Sequence, residues 1–290
     1  KYNVKANSSI TFNEIDAKNI MKVHPKLKKP IFKKNNNVIN FSHIENKFND
    51  FEKEILLPYK QSTLGPTIAK GDVNNDGKDD IFIGGAKEQA AVIYLQTATS
   101  FQKKTNSIFN IDAHHEDMEA LFIDIDNDDD LDLYVVSGGS EFIERSESLK
   151  DRIYINDGKG NFTKKETQEI QDYTISGKTV SKIDFDKDGD FDIIVGNRIK
   201  PQKYPLHEPS IIYENVNGVF KNITAKIAPK FENFGIVNKV ITTDFNNDGW
   251  QDFIAVGEWT HIGVFLNDKG NFKDISSSSK LDSEKGWWNS

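Results

Sequence analysis

The sequence predicts an all-β chain: a β-propeller with four recognisable four-stranded antiparallel blades, part of a larger ring. Three observations predict it. A nine-residue acidic loop occurs four times, beginning at Asp72, Asp124, Asp184 and Asp244, at intervals of 52, 60 and 60 residues. A short apolar run stands on each side of every copy. A turn that ends in an aromatic residue then follows. Self-similarity at such a period marks propellers, solenoids or arrays, and four-stranded units repeated radially are propeller blades.

The elements of a unit follow in order. The first strand precedes the loop, as Pro66-Thr-Ile-Ala-Lys, Ala120-Leu-Phe-Ile, Thr179-Val-Ser-Lys-Ile and Val240-Ile-Thr-Thr. The second follows it, as Ile81-Phe-Ile-Gly, Leu133-Tyr-Val-Val, Ile193-Ile-Val-Gly and Phe253-Ile-Ala-Val. Continuous apolar runs of this length read as strands covered on both faces. The third strand enters a turn and the fourth leaves it at an aromatic, as in Tyr154-Ile-Asn-Asp-Gly-Lys-Gly-Asn-Phe162, Tyr213-Glu-Asn-Val-Asn-Gly-Val-Phe220 and Phe265-Leu-Asn-Asp-Lys-Gly-Asn-Phe272; the first unit carries the degenerate Tyr94-Leu-Gln-Thr-Ala-Thr-Ser-Phe101. Asn-Gly and Asp-Gly beside alternating residues are hairpin signals, and hairpins disfavour a parallel solenoid. The propeller is expected over residues 41–280. Residues 1–40, rich in Lys and Asn, read as a linker or the edge of a preceding domain. Residues 281–290, with Gly286-Trp-Trp-Asn-Ser, read as the start of a further blade, the remaining blades lying beyond Ser290.

The loops carry the chemistry. Positions 1, 3, 5 and 9 hold Asp72, Asn74, Asp76 and Asp80; Asp124, Asp126, Asp128 and Asp132; Asp184, Asp186, Asp188 and Asp192; and Asp244, Asn246, Asp248 and Asp252. Oxygens at alternate positions of a tight loop turn toward one centre and suit a hard cation. Calcium takes about six to eight oxygens in flexible geometry, whereas magnesium demands a stricter octahedron. Position 7, occupied by Lys78, Asp130, Asp190 and Trp250, is expected to offer its backbone carbonyl and to leave its side chain free to vary. Gly77, Gly189 and Gly249 at position 6 allow the sharp turn, with Asp129 in the second copy. An EF-hand is excluded: position 12 is Ile83, Val135, Val195 or Ala255, and strands rather than helices flank the loop. About four Ca2+ ions are expected. They would also neutralise the formal net charge of −8.

That acidity argues against nucleic acid as a partner. The absence of Cys removes disulfides and thiolate chemistry. No run reaches the roughly 18 apolar residues of a membrane span. No Gly-x-Ser-x-Gly elbow, P-loop, dinucleotide fingerprint or His-Glu-x-x-His pair occurs. His114-His115-Glu116-Asp117 could chelate a metal, but it reads better as a polar loop ahead of a first strand.

The loops resemble the FG-GAP/VCBS repeat family. The flanking text is similar to bacterial surface proteins with ASPIC/UnbV-type propellers, relatives of cartilage acidic protein. It comprises Phe41-Ser-His-Ile-Glu-Asn-Lys-Phe-Asn-Asp-Phe51, Leu64-Gly-Pro-Thr-Ile-Ala-Lys-Gly-Asp72, Ser137-Gly-Gly-Ser-Glu-Phe142 and Gly286-Trp-Trp-Asn289. The resemblance spans residues 41–290. It implies calcium-binding propeller blades, a secreted or cell-surface location and a binding role. Asn at position 3 of the first and fourth loops departs from an all-Asp pattern and predicts weaker sites there.

In a propeller the acidic loops share one face, and the connections between second and third strands share the other. Variable loops on a rigid scaffold carry function. Those connections, 84–91, 137–151, 196–210 and 257–261, hold the candidate ligand-binding residues Glu141, Arg145, Arg198, Tyr204, Trp259 and His261. The expected function is non-catalytic recognition of a glycan or a protein partner, within a larger surface complex. The alternatives are a propeller polysaccharide lyase or hydrolase, or a structural spacer in an envelope assembly.

Overall fold

Each acidic loop turns one strand back onto the next, and its length sets the register. The residue before position 1 pairs with position 9 in all four copies: Gly71 with Asp80, Ile123 with Asp132, Ile183 with Asp192 and Thr243 with Asp252. The computed structural model describes residues 39–289, within a unit that begins at Val38. The expectation for residues 1–38 lies outside the described residues.

The strands form four antiparallel sheets, each in chain order. The first contains β1 (Ile68–Gly71), β2 (Asp80–Ile83), β3 (Val92–Gln96) and β4 (Phe101–Lys104). The second contains β5 (Asp117–Ile123), β6 (Asp132–Ser137), β7 (Arg152–Asn156) and β8 (Phe162–Lys165). The third contains β9 (Gly177–Ile183), β10 (Asp192–Asn197), β11 (Ile211–Val216) and β12 (Val219–Asn222). The fourth contains β13 (Ile236–Thr243), β14 (Asp252–Thr260), β15 (Gly263–Asn267) and β16 (Phe272–Asp274). The first strands β1, β5, β9 and β13 neighbour one another in that order. This is the blade arrangement the repeat predicts, and the ring does not close over the described residues.

The core lies between blades rather than within them. Val73, Phe82 and Ile93 of the first blade meet Phe122, Leu133 and Tyr154 of the second. Ile125 and Tyr134 of the second meet Ile193, Ile211 and Tyr213 of the third. Ile183, Phe185 and Ile194 of the third meet Val240, Phe253 and Phe265 of the fourth. Both faces of a sheet are buried this way, which is why the strands are apolar throughout. A polar latch repeats at each interface. An Asn at or next to the end of the third strand donates its amide to the position-2 carbonyl of the preceding loop: Asn156 to Val73 at 2.8 Å, Asn215 to Ile125 at 2.9 Å and Asn267 to Phe185 at 2.7 Å.

Three features go beyond the repeat reading. The first strands of blades two to four begin several residues earlier than the apolar runs, and each carries a bulge there. The residues left unpaired by the register shifts are Met118, Lys178 and Asn238, themselves 60 residues apart. Short helices also fill the passages to the next blade. Among these, α2 (Ser107–Ile111) buries Phe109, α3 (Gln168–Gln171) buries Ile170, α4 (Thr224–Ile227) buries Ile227 and α5 (Pro229–Glu232) buries Phe231. Finally, residues 39–64, including α1 (Asp50–Lys53), form a strap across the side away from the acidic loops, hydrogen-bonded to Ser140 of blade two, Arg198 and Tyr204 of blade three and Glu258 of blade four. Ile39 and Phe41 pack on the first blade. The Asp50 carboxylate receives Gln61 N–H, Ser62 N–H and the hydroxyls of Ser62 and Ser140.

The tail expected to open a further blade contains β17 (Gly286–Trp287), which is hydrogen-bonded to β14 of the fourth blade. Among the described residues no helix is long and apolar enough to cross a membrane.

Candidate functional site

The acidic loops adopt one conformation. Position 4 has positive φ in every copy, 58° at Asn75, 61° at Asn127, 63° at Lys187 and 59° at Asn247. Position 6 does too, at Gly77, Gly189, Gly249 and Asp129. Asn and Asp tolerate this left-handed region better than other non-glycine residues, so Asp129 serves where glycine was expected. The positive φ at position 4 was missed, although Asn at three of the four positions is its signal.

In loops two and three, the carboxylates at positions 1, 3 and 9 (Asp124, Asp126 and Asp132; Asp184, Asp186 and Asp192) bring one oxygen each within 4.8 Å of one another. Asp126 Oδ1 and Asp184 Oδ1 are buried without a hydrogen-bond partner. Orphaned buried oxygens facing other carboxylates fit a cation. Loops one and four have Asn at position 3 and so hold one carboxylate fewer, and in loops one, two and four the position-1 carboxylate also accepts N–H groups of its own loop, Asp124 from Asn127, Asp128 and Asp129. Asp72 receives the N–H groups of Asn74, Asp76 and Gly77, and Asp244 those of Asp248 and Gly249. Asn74 and Asn246 each accept from the position-5 N–H. Position 5 caps position 7 throughout: Asp76, Asp128, Asp188 and Asp248 accept from the N–H groups of Lys78, Asp130, Asp190 and Trp250.

Position 9 does more than the spacing suggested. Asp80, Asp132, Asp192 and Asp252 are almost fully buried. Each accepts the position-2 N–H of its own loop on one oxygen and the N–H at or near the end of the third strand on the other. This carboxylate ties loop, second strand and third strand together with or without a metal. Burial, reinforced by the other loop carboxylates, pushes Asp132 up to about 7 and Asp192 up to about 8; a bound cation would reverse that shift.

Position 7 side chains, though varied in type, make contacts of their own. Asn75 donates to Asp130 at 2.6 Å, Asn127 donates to Asp190, and Lys187 Nζ sits 4.1 Å over the Trp250 ring. Position 4 of one loop thus reaches position 7 of the next, because blade packing sets the loops side by side.

The opposite face holds the other candidates, and the structure separates them. Arg198 is buried, and its guanidinium donates to Asn238, to Gln61 of the strap at 2.6 Å and to Glu258 at 2.7 Å. Glu258 also receives the hydroxyls of Tyr59 and of Tyr204, the latter at 3.0 Å. Burial favours its neutral form, but Arg198 and the two hydroxyls outweigh this and hold its carboxyl below the usual range. Trp259 Nε1 donates to Tyr204 Oη at 2.7 Å, and its ring meets Trp287 edge-on at 5.4 Å. Trp259 and Trp287 are 54% and 44% exposed. Arg198, Tyr204 and Trp259 therefore form one cluster. Sequence reasoning missed the parts played by Tyr59, Gln61, Asn238 and Trp287.

Beside this cluster lies an open cleft of about 420 Å³, lined by Tyr59, Leu64, Lys178, Arg198, Asn238 and Asn289. Two of the bulge residues, Lys178 and Asn238, face it. Burial, with Arg198 nearby, pulls the Lys178 ammonium down to about 8.

Other expectations for this face change. The segment 257–261 is not a loop: β14 runs to Thr260 because β13 and β17 pair with it there. A register shift at Trp259, with φ of 60°, swings that side chain outward. His261 stands apart, edge-on to Phe234 at 5.0 Å, and Arg145 is exposed on another loop. Glu141 is buried beside Glu116. The polar loop expected at 114–117 is mostly interior. His115, Glu116 and Asp117 are buried, Asp117 pairs with Arg152 at 2.5 Å, and His115 Nδ1 donates to Ser148 O at 2.9 Å. Close packing of blades one and two encloses what local polarity suggested was solvated.

Residues 72–135 and 137–195 match the family model described as an FG-GAP-like repeat. The matched residues take in the first three acidic loops. No curated protein matches the chain. Among solved structures, the chain is similar to the V. cholerae biofilm matrix protein Bap1, at 18% identity and a TM-score of 0.33, over 71% of this chain and 29% of that one.

Proposed function

We propose that this chain is a non-catalytic, calcium-stabilised propeller module of a secreted or cell-surface protein, and that its face opposite the acidic loops recognises a glycan. One observation carries the reading. Trp259 is a bulky residue held at φ 60° and 54% exposed. A backbone conformation that costs roughly 1–3 kcal/mol persists where surrounding structure enforces it, and such outliers cluster at functional sites. Here the enforcement is visible in the Tyr204 hydrogen bond and the edge-on Trp287. Arg198 and Glu258 satisfy one another, so the network positions the aromatics rather than reacting. Two exposed indoles beside a polar cleft offer flat apolar surface for a sugar face and donors for its hydroxyls.

Calcium fits loops two and three through their orphaned oxygens. Weak sites with dissociation constants of about 10⁻⁴–10⁻³ M fill where calcium is millimolar, as it is outside cells. The test is a polysaccharide panel probed for binding and for products, with the native protein and Trp259→Ala/Trp287→Ala. Binding that the double variant loses, with no new reducing ends or unsaturated products, supports the reading. Turnover makes the protein a lyase or hydrolase. Retention of binding by the variant moves the site away from these indoles, and no binding by the native protein leaves a spacer role.

A further inference from the structure

The passage from blade one to blade two holds a nitrogen-bearing cluster unlike the acidic loops. One carboxylate oxygen of Asp112 and one ring nitrogen each of His114 and His115 lie within 4.8 Å of one another. The local fold brings them there. Asp112 N–H closes the last turn of α2 on Ile108 O at 3.0 Å, and His115 N–H turns back to Asp112 O at 3.1 Å. Phe109 of α2 meets Tyr154 edge-on at 5.2 Å, and Tyr154 Oη donates to Asp112 Oδ2 at 2.7 Å. Asp112 and His115 are buried whereas His114 is exposed, so the cluster opens to solvent on one side.

Both imidazoles are already oriented. His114 Nδ1 lies 3.1 Å from Ile111 O, and His115 Nδ1 lies 2.9 Å from Ser148 O. A carbonyl only accepts, so both Nδ1 atoms carry the proton and both Nε2 atoms carry a lone pair. Among the described residues, neither Nε2 has a hydrogen-bond partner. A metal-bound histidine is fixed in the same way, its other N–H given to a carbonyl or a carboxylate. Asp112 also has capacity to spare. Tyr154 Oη takes one lone pair on Oδ2 and Lys164 Nζ, at 3.0 Å, one on Oδ1, whereas an ionised carboxylate has about four. The neighbouring cations are balanced: Arg152 pairs with Asp117, and Lys164 with Asp112 and, at 3.7 Å, with Glu166.

We propose that Asp112, His114 and His115 bind a zinc-class transition-metal ion, at a site distinct from the four acidic loops. Two imidazoles and one carboxylate suit a borderline cation such as Zn2+, whereas calcium takes oxygen ligands. Three protein ligands leave a fourth position for water on the open side. Ser148 belongs to the connection between the second and third strands of blade two, so the ion would hold that connection to the passage out of blade one. The site shares no residue with the acidic loops or with the cluster around Trp259, and it stands or falls apart from the glycan reading.

The test is zinc titration calorimetry on protein stripped with EDTA and returned to excess calcium, which occupies sites for hard cations. Native protein is compared with His114→Ala, a change at an exposed position that spares the core. His114→Gln, which keeps a polar side chain, serves should alanine disturb the turn. The native protein should take up one equivalent of zinc. Both variants should bind it at least about tenfold more weakly, since losing even a supporting partner of a ligand costs about 10–100-fold. In the native protein, zinc should also move the imidazole ¹⁵N resonances of His114 and His115 and leave the other histidines in place. Absence of zinc uptake by the native protein overturns the proposal. So does equal affinity in native protein and variants, or a shift confined to other histidines.

Discussion

Phe185 and Phe245 occupy position 2 of the third and fourth acidic loops, and alanine at each should have very different consequences. Phe185 is 3% exposed and packs in the core between blades three and four, its ring 6.4 Å from that of Phe272. Val73 and Ile125, at the same position of loops one and two, are equally buried. Phe245 is 49% exposed, because no blade packs on the fourth loop within the described residues. Removing a buried Phe costs about 3–5 kcal/mol, transfer and cavity together. Full burial of a Phe is worth roughly 1.5–3 kcal/mol, so the half-buried ring at 245 should cost about 1 kcal/mol. At about 2–4 °C per kcal/mol for a unit of this size, Phe185→Ala should lower the melting temperature by on the order of 10 °C, and Phe245→Ala by about 3 °C. Urea unfolding at fixed calcium is the matching assay, read as a shift in midpoint at unchanged slope. Equal losses at the two positions would refute the reasoning that inter-blade burial, not loop sequence, sets the energetic weight of position 2.

Calcium removal should destabilise the protein. At about tenfold excess over the dissociation constant each site contributes roughly 1.4 kcal/mol, so excess EDTA should lower the melting temperature by more than about 5 °C, and an unchanged melt would sink the calcium reading. Asp192→Asn should cost about 1–3 kcal/mol even in EDTA, since an amide cannot accept from both Phe185 N–H and Asn215 N–H; undiminished stability in EDTA would leave that carboxylate a metal role alone. Burial drives the His115 imidazole down to about 2 from an ordinary 6.5. The unfolded chain therefore takes up a proton below about pH 6.5 that the folded chain refuses. The contribution is complete above that pH and is lost on acidification at about 1.4 kcal/mol per pH unit. His115→Asn, which keeps a donor for Ser148 O, should flatten the slope between pH 6 and 4, as read by urea midpoints; an identical slope would contradict it.

Much of the fold was legible because the acidic loop acts as a ruler. Its fixed length places position 9 opposite the residue before position 1, and apolar runs on both sides leave the strands little freedom. The 60-residue spacing of Met118, Lys178 and Asn238 was equally present, but a bulge is defined by what a partner strand leaves unpaired, so nothing local marks it. Glu258 and Trp259 read as part of a connection because the apolar run of the second strand stops before them, whereas pairing with β17 carries the strand onward. The strap was the largest omission. Residues 41–51 read as the start of the propeller and carry a resemblance to other sequences, but their apolar and acidic side chains have no periodicity that would announce a surface-crossing segment.

The sequence by itself determined the blade: four strands, a turn at a set place, and a ring of oxygens suited to a cation. Those properties follow from spacing within some sixty residues. Tertiary structure decided which copies of a repeated residue matter. It buried Phe185 and exposed Phe245, joined position 4 of one loop to position 7 of the next, and left Glu141 without a donor while giving Asp50 four. Burial and hydrogen-bond satisfaction are properties of neighbours, and neighbours separated by 60 to 200 residues are created only when the blades pack.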